Sequence, residues 1–263
     1  MTSYHVHSLF SDGKAEIAEY IRVAGEIGLD ELGFSDHYVL APGGKEVAWS
    51  MQPDEVDAYV EAVQTAAGEA CGMIIRLGIE MDYFPETTRE LTEVLEAHPF
   101  DYAIGAVHFF DGFPIDERAE NWETLSQSER DDIIRGYWIR MKEMAETGLF
   151  DIAAHLDLPK KFGFQASIDL SAEITAAVDA VARSGMAIEI NTSGWYAPCA
   201  EAYPSFFLIK ECKRRDIPLL VTSDAHMPVN LIRDFDRAYR LAREAGYSEM
   251  ADFAGRQRYV HPL

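Results

Sequence analysis

Cysteine is scarce in this chain. The three in 263 residues, Cys71, Cys199 and Cys212, stand far apart and form no CxxC pair, which excludes a disulfide framework and a thiolate zinc site. They are read as packing residues. Positive charge is also scarce: 23 Lys and Arg face 45 Asp and Glu, a formal net charge of −22. Such a chain repels a phosphate backbone and has no basic stripe, so polynucleotide partners are excluded and a small substrate with a cationic group is favoured. No stretch is long and apolar enough to cross a bilayer. Met1-Thr2-Ser3-Tyr4-His5 has no basic run followed by an apolar one, so a soluble cytoplasmic protein with no membrane partner is expected.

A large core is available, since 48% of residues are hydrophobic. With no linker or low-complexity stretch, a single domain over residues 1–263 is expected. Short apolar runs alternate with helical periodicity. The runs 3–6, 31–35, 74–80, 102–107, 152–155, 187–191 and 218–223 read as strands. The segments 53–70, 86–97, 126–147, 172–184, 203–215 and 230–245 read as helices. An earlier helix carries Ile17, Ile21, Ala24 and Ile27 as an apolar stripe and ends at Gly28. Seven βα units allow an open sheet or a barrel. Polar residues close nearly every strand, where a barrel keeps its active site, so the expected fold is α/β, a (β/α)7 barrel.

Six of the eight histidines sit at these strand ends: His5 and His7, His37 after Asp36, His108, His155, and His226 two residues after Asp224. Glu80 closes the apolar run 74–79. Residues two apart on a strand share a face, so His5 with His7, and Asp224 with His226, can each enter one pocket. Asp12 follows the first strand end directly. His98 and His261 lack a strand end and a carboxylate partner and are read as surface residues. A ligand set of imidazole and carboxylate suits Zn²⁺, Fe or Mn²⁺ and leaves positions open for water and substrate. Several such ligands in one mouth imply more than one ion, and phosphoester hydrolysis is the chemistry such clusters perform.

These residues, His5-Val6-His7-Ser8 with Ser11-Asp12-Gly13, Phe34-Ser35-Asp36-His37, Glu80, His108, His155 and Ser223-Asp224-Ala225-His226, resemble the PHP (polymerase and histidinol phosphatase) family from end to end. The strings from Val107 to Pro114, His155 to Gly163 and Glu189 to Gly194 resemble its monofunctional histidinol-phosphate phosphatases. The resemblance implies three divalent metal ions: one on His5, His7, Glu80 and Asp224, a second on Glu80, His108 and His155, a third on Asp12, His37 and His226. Asp12 stands where many relatives have histidine. The resemblance further implies hydrolysis of a small-molecule phosphate ester, L-histidinol phosphate first, by in-line attack of metal-activated hydroxide, with Asp12, His37, Glu80 and His226 at the reacting centre. Lys160 and Lys161 are candidates for a phosphate contact, and Asp111 for the cationic end of the substrate. Where relatives carry basic residues after Asn-Thr-Ser-Gly, this chain has Trp195-Tyr196-Ala197-Pro198, so Trp195 or Tyr196 is a candidate for packing against the substrate's imidazole. A phosphoesterase acting on nucleotides or oligonucleotide ends is the alternative within the family. A metal-stabilised module without catalysis is the alternative outside enzymes.

Overall fold

A computed structural model describes residues 1–70 and 72–263; the reading of Cys71 lies outside the described residues. Seven parallel strands, β1 (Thr2–Ser3), β2 (Glu31–Phe34), β3 (Ile74–Asp82), β4 (Tyr102–Ala106), β5 (Ile152–Ala153), β6 (Ala187–Asn191) and β7 (Leu219–Thr222), neighbour one another in chain order. The ring closes beyond the formal strand ends: Val6 bridges Ala225 in parallel, with His7 N–H donating to the Ala225 carbonyl at 3.0 Å and Ala225 N–H to the His5 carbonyl at 2.9 Å. The result is a nearly closed, distorted (β/α)7 barrel with helices outside.

Each βα unit follows from its sequence. The first helix, Ile17–Glu26, buries Ile17, Tyr20 and Ala24. Tyr20 thus stands in the inward stripe, and Ile27 caps the helix with its side chain exposed, because the helix stops one residue short of the expected stripe. Helix Gln127–Glu146 starts at a capping box in which the Glu129 carboxylate accepts from Ser126 N–H at 2.8 Å. Two expected helices are shorter. The segment 203–215 is helical only over Phe206–Lys213, because Tyr203 exchanges backbone hydrogen bonds with Asn191. The segment 230–245 is helical over Phe235–Glu244, because Asp234 takes a left-handed φ of 59°. A hairpin of Phe109–Phe110 with Phe113–Pro114, a helix Ala119–Glu123, a two-residue strand His37–Tyr38 beside β3, and a C-terminal hairpin of Glu249–Ala254 with Gln257–Pro262 add to the expected elements.

Alternation along β4 divides the packing. Tyr102, Ile104 and Ala106 join a buried cluster with Tyr4, Ile152, Ala187 and Leu220, whereas Ala103 packs with the core under the helices. Ala251 and Phe253 of the C-terminal hairpin belong to the same inner cluster. Gly255 N–H donates to Asp101 just before β4, so the hairpin closes the end of the barrel where strands begin. Polar chemistry is thereby confined to the end where strands finish.

Tyr102 fixes this floor. Its hydroxyl donates to the carbonyls of Tyr4 and Phe34, and its ring occupies space that glycines leave open: a Cβ on Gly78 would lie 2.2 Å from the ring. Gly78→Ala therefore forces a buried aromatic against three strands. The expected cost is about 2–3 kcal/mol, or roughly 4–6 °C in thermal midpoint for a chain of this size. An unchanged melting temperature by calorimetry would show that the floor yields.

Candidate metal centre

Backbone geometry brings nine side chains to the mouth of the barrel. Glu80 and Asp82, two apart on β3, share a face, and the pairing of His37 with Glu80 in parallel register sets an imidazole beside the carboxylate. His108 follows β4 and is held by Asp82, which accepts from its backbone N–H at 2.7 Å. His155 and Asp224 lie past the ends of β5 and β7 in left-handed turns, φ 24° and 51°, so it is a turn rather than strand alternation that aims Asp224 and His226 inward. Strained backbone of this kind persists where surrounding contacts hold it; for His155, Glu189 accepts its N–H at 2.8 Å.

Glu80 is the hub. Its Oε2 lies 2.8 Å from His37 Nδ1, 3.1 Å from His5 Nε2 and 3.6 Å from His7 Nε2, while Oε1 lies 3.2 Å from His155 Nε2 and 3.9 Å from His108 Nε2. Asp224 Oδ1 is 3.1 Å from His7 Nε2 and 3.6 Å from His5 Nε2. Asp12 Oδ1 is 2.9 Å from His226 Nε2 and 3.7 Å from His37 Nε2. The His37 and His226 rings both stack against His7, at 4.1 and 4.3 Å between centroids, and lie 5.9 Å from each other. His98 and His261 stay outside. Contrary to the sequence reading, each is half-buried beside one carboxylate, Asp57 at 3.8 Å and Asp252 at 2.6 Å.

Outer hydrogen bonds fix which nitrogen faces the cluster. Glu189 holds His5 Nδ1 at 2.8 Å, Asp82 holds His108 Nδ1 at 2.8 Å, and the Asp224 carbonyl holds His226 Nδ1 at 3.0 Å, leaving Nε2 of each pointing inward. Glu189 also accepts from Thr222 and Asn191. Sequence reasoning passed over Glu189 and Asp82 as site residues. The two-residue spacing of Glu80 with Asp82, and of Glu189 with Asn191, on buried strands was the available signal.

The charges are strongly coupled. Burial alone would depress every imidazole, yet Glu189, Glu80 and Asp224 hold His5 well above its ordinary value, Asp82 lifts His108 to about 10, and Asp12 with Asp224 lifts His226 to about 9. His7, pressed by burial and by His37 and His226, falls to about 3. Burial would raise the carboxyls, but the imidazoles hold Glu80 and Asp224 well below their usual range, and His226 with His37 takes Asp12 to about 2. Protons thus occupy positions that cations of higher charge could take.

The donor set fits divalent metal. His5 Nε2, His7 Nδ1, Asp12 Oδ1, Glu80 Oε2 and His155 Nδ1 are buried without a hydrogen-bond partner. Several of them nonetheless lie close to opposite charge; the distances are short and the directions wrong for N–H···O bonds, as when donors converge on common points. Among the described residues, three overlapping groups have ligand atoms within 4.8 Å of one another: His7, Asp12, His37 and His226; His5, His7 and Glu80; His37, Glu80 and His108.

A cavity of about 1080 Å³ opens above the cluster, with Asp12, His37, His108, His155, Asp224 and His226 at its base. Trp49 stands edge-on to His37 at 4.7 Å between centroids. Asp111 is exposed on the cavity wall, where it and Gly112 make the two-residue hairpin turn with positive φ. Lys161 lines the cavity and pairs with Asp116 at 3.1 Å. The Lys160 ammonium is instead tied to Asp157 at 3.0 Å and Glu201 at 2.8 Å, outside the lining. Tyr196 lines the cavity. Trp195 does not: it packs on the core with the Arg237 guanidinium 4.0 Å over its ring.

The PHP domain family matches residues 3–193 of the chain. A Deinococcus radiodurans protein named "Probable histidinol-phosphatase" is 34% identical over 247 residues, covering 92% of both chains. The histidinol-phosphatase of Lactococcus lactis is 24% identical over 263 residues, covering 96% of this chain and 94% of that protein. The crystal structure of the Lactococcus lactis histidinol phosphate phosphatase, complexed with zinc, L-histidinol and phosphate, superposes with a TM-score of 0.80 at 22% identity, covering 98% of each chain.

Two measurements test the centre. Glu80→Gln removes the charge shared by five imidazoles, and is expected to weaken metal binding at least about 100-fold, ~2.7 kcal/mol; full metal content by elemental analysis after dialysis would refute the hub. In metal-free protein the raised values of His108 and His226 confer stability that is complete below the unfolded value near 6.5 and lost as pH rises through about 9 and 10. Metal uptake runs the opposite way, gaining affinity with pH over that window and releasing protons at pH 7. Calorimetry in buffers of different ionisation enthalpy reads the release directly, and heats independent of buffer would contradict it.

Proposed function

We propose a reaction that starts from one premise: this chain belongs to the PHP domain family. It is a metal-dependent phosphoric monoester hydrolase that cleaves L-histidinol phosphate to L-histidinol and phosphate. The observation that carries this reading is the convergence of six imidazoles on Glu80, Asp224 and Asp12 at the base of one cavity.

The centre binds divalent metal. We assign three ions, zinc, manganese or iron, to the nine side chains: His5, His7, Glu80 and Asp224 for the first; Glu80, His108 and His155 for the second; Asp12, His37 and His226 for the third, with His7 within reach of that last group. Bound there, divalent ions neutralise phosphate oxygens and lower the pKa of water toward neutrality. The chain supplies the geometry. Glu80 fixes the spacing between the two imidazole groups through its two oxygens. Asp12 stays ionised and holds the His226 and His37 rings at the cavity face. Trp49 and Phe109, stacked at 6.0 Å, wall the metal centre from bulk water.

The cavity suits a substrate with opposite charges at its ends. Lys161 stands on one wall, while Glu46, Glu86, Asp111 and Glu117 line the mouth and suit an ammonium or imidazolium group. Tyr196 offers an aromatic face. Since ligands come from residue 5 to residue 226, residues 1–263 act as one functional unit, and the −22 charge disfavours polynucleotide substrates.

The test is a panel of phosphomonoesters assayed with Zn²⁺, Mn²⁺ and Fe²⁺. Histidinol phosphate is expected to give the highest kcat/KM. If a nucleotide or sugar phosphate exceeds it by about tenfold, ~1.4 kcal/mol in differential transition-state binding, the hydrolase chemistry stands and the substrate falls.

A further inference from the structure

Four cationic side chains line the cavity, and three are accounted for. Lys161 pairs with Asp116, Arg140 lies between Glu143 at 3.2 Å and Asp111 at 3.7 Å, and Lys45 is exposed. The fourth, Arg233, is different. Its guanidinium carbon sits 3.9 Å over the ring of Tyr196, and its Nε is buried with no hydrogen-bond partner. It makes no ion pair with any described carboxylate within 4.0 Å; the nearby Asp234 is engaged by the Tyr196 hydroxyl at 2.5 Å.

The position of Arg233 is over-determined. Thr192 Oγ1 donates to the Arg233 carbonyl at 2.7 Å, tying this residue to the turn after β6, and the adjacent Ser193 lines the cavity. One helical turn on, Arg237 stacks on Trp195. Two consecutive aromatics, Trp195 and Tyr196, therefore carry two arginines from the segment after His226, and this ladder locks two loops of the cavity wall together. A stacked, partly desolvated guanidinium presents its planar fork in fixed orientation and is matched by an oxyanion bearing several acceptor oxygens.

We propose that Arg233 binds a non-bridging phosphate oxygen of the substrate, held for that task by Tyr196. The proposal rests on the phosphomonoesterase reading for its substrate, and on the stacked guanidinium with its buried, unpartnered Nε for its residue. A cationic substrate end would be repelled here, so Arg233 also sets the direction in which a substrate charged at both ends enters.

The experiment measures binding of inorganic phosphate and, separately, of L-histidinol to metal-loaded wild type, Arg233→Met, Arg233→Lys and Tyr196→Leu by calorimetry, with metal content checked for each. Arg233→Met is expected to weaken phosphate binding about tenfold or more, ~1.4 kcal/mol, with metal content and L-histidinol affinity kept. Arg233→Lys should recover part of the loss, and Tyr196→Leu should show a smaller loss of the same sign. Turnover should lose mainly in KM. Phosphate affinity in Arg233→Met within about twofold of wild type, below ~0.4 kcal/mol, would overturn the proposal, as would an equal loss for L-histidinol. Wild type that binds phosphate but cleaves no phosphomonoester would refute the hydrolase reading, while the phosphate comparison would still decide Arg233.

Discussion

One carboxylate organises this protein. Glu80 is 1% exposed, and five imidazoles crowd its two oxygens. Taking such a group out of water costs several kcal/mol unless opposite charge surrounds it, and removing one partner leaves the others uncompensated. The surrounding structure meets that cost. Register with His37, the Asp82 clamp on His108 and the Glu189 clamp on His5 each hold one ring where Glu80 needs it. The barrel is the device that lets strands distant in sequence all end at this carboxylate, and the aromatic floor at Tyr102 and the C-terminal hairpin keep the other end apolar.

The long-range field and the local field have opposite jobs. The chain as a whole is strongly acidic, which attracts a cationic small molecule and keeps polyanions away. Inside the mouth, imidazoles, Lys161 and Arg233 create a small region that favours a dianion. A ligand carrying both kinds of charge satisfies both fields, and its two ends are sorted by which wall is basic and which is acidic.

How much of this was readable in advance depends on the range of the determinant. Strands ending in histidine were legible because burial makes a continuous apolar run and the first polar residue after it marks the mouth; His108 and His155 are such cases. Local spacing failed where a turn intervenes. His226 shares a pocket with Asp224 because Asp224 is left-handed, which no alternation rule contains. The C-terminal hairpin was missed because its strands take their burial from Tyr4 and Asp101, far away in sequence. Lys160 and Lys161 are adjacent and look alike, yet Glu201 captures the first and Asp116 leaves the second on the wall. Arg233 carried no signal, since its placement comes from Tyr196 and Thr192 across a loop contact.

The seam where Val6 meets Ala225 also has a consequence in time. A ribosome delivers His5 and His7 long before Asp224, Ala225 and His226. Until then the first strand has a neighbour on one side only, and the cup has no closed wall. Metal held by Asp224 or His226 is therefore a late event in synthesis, while Glu80, His108 and His155 are all made well before it. A chain cut short before this seam would carry seven of the nine side chains and lack the wall that pairs with the strand bearing His5 and His7.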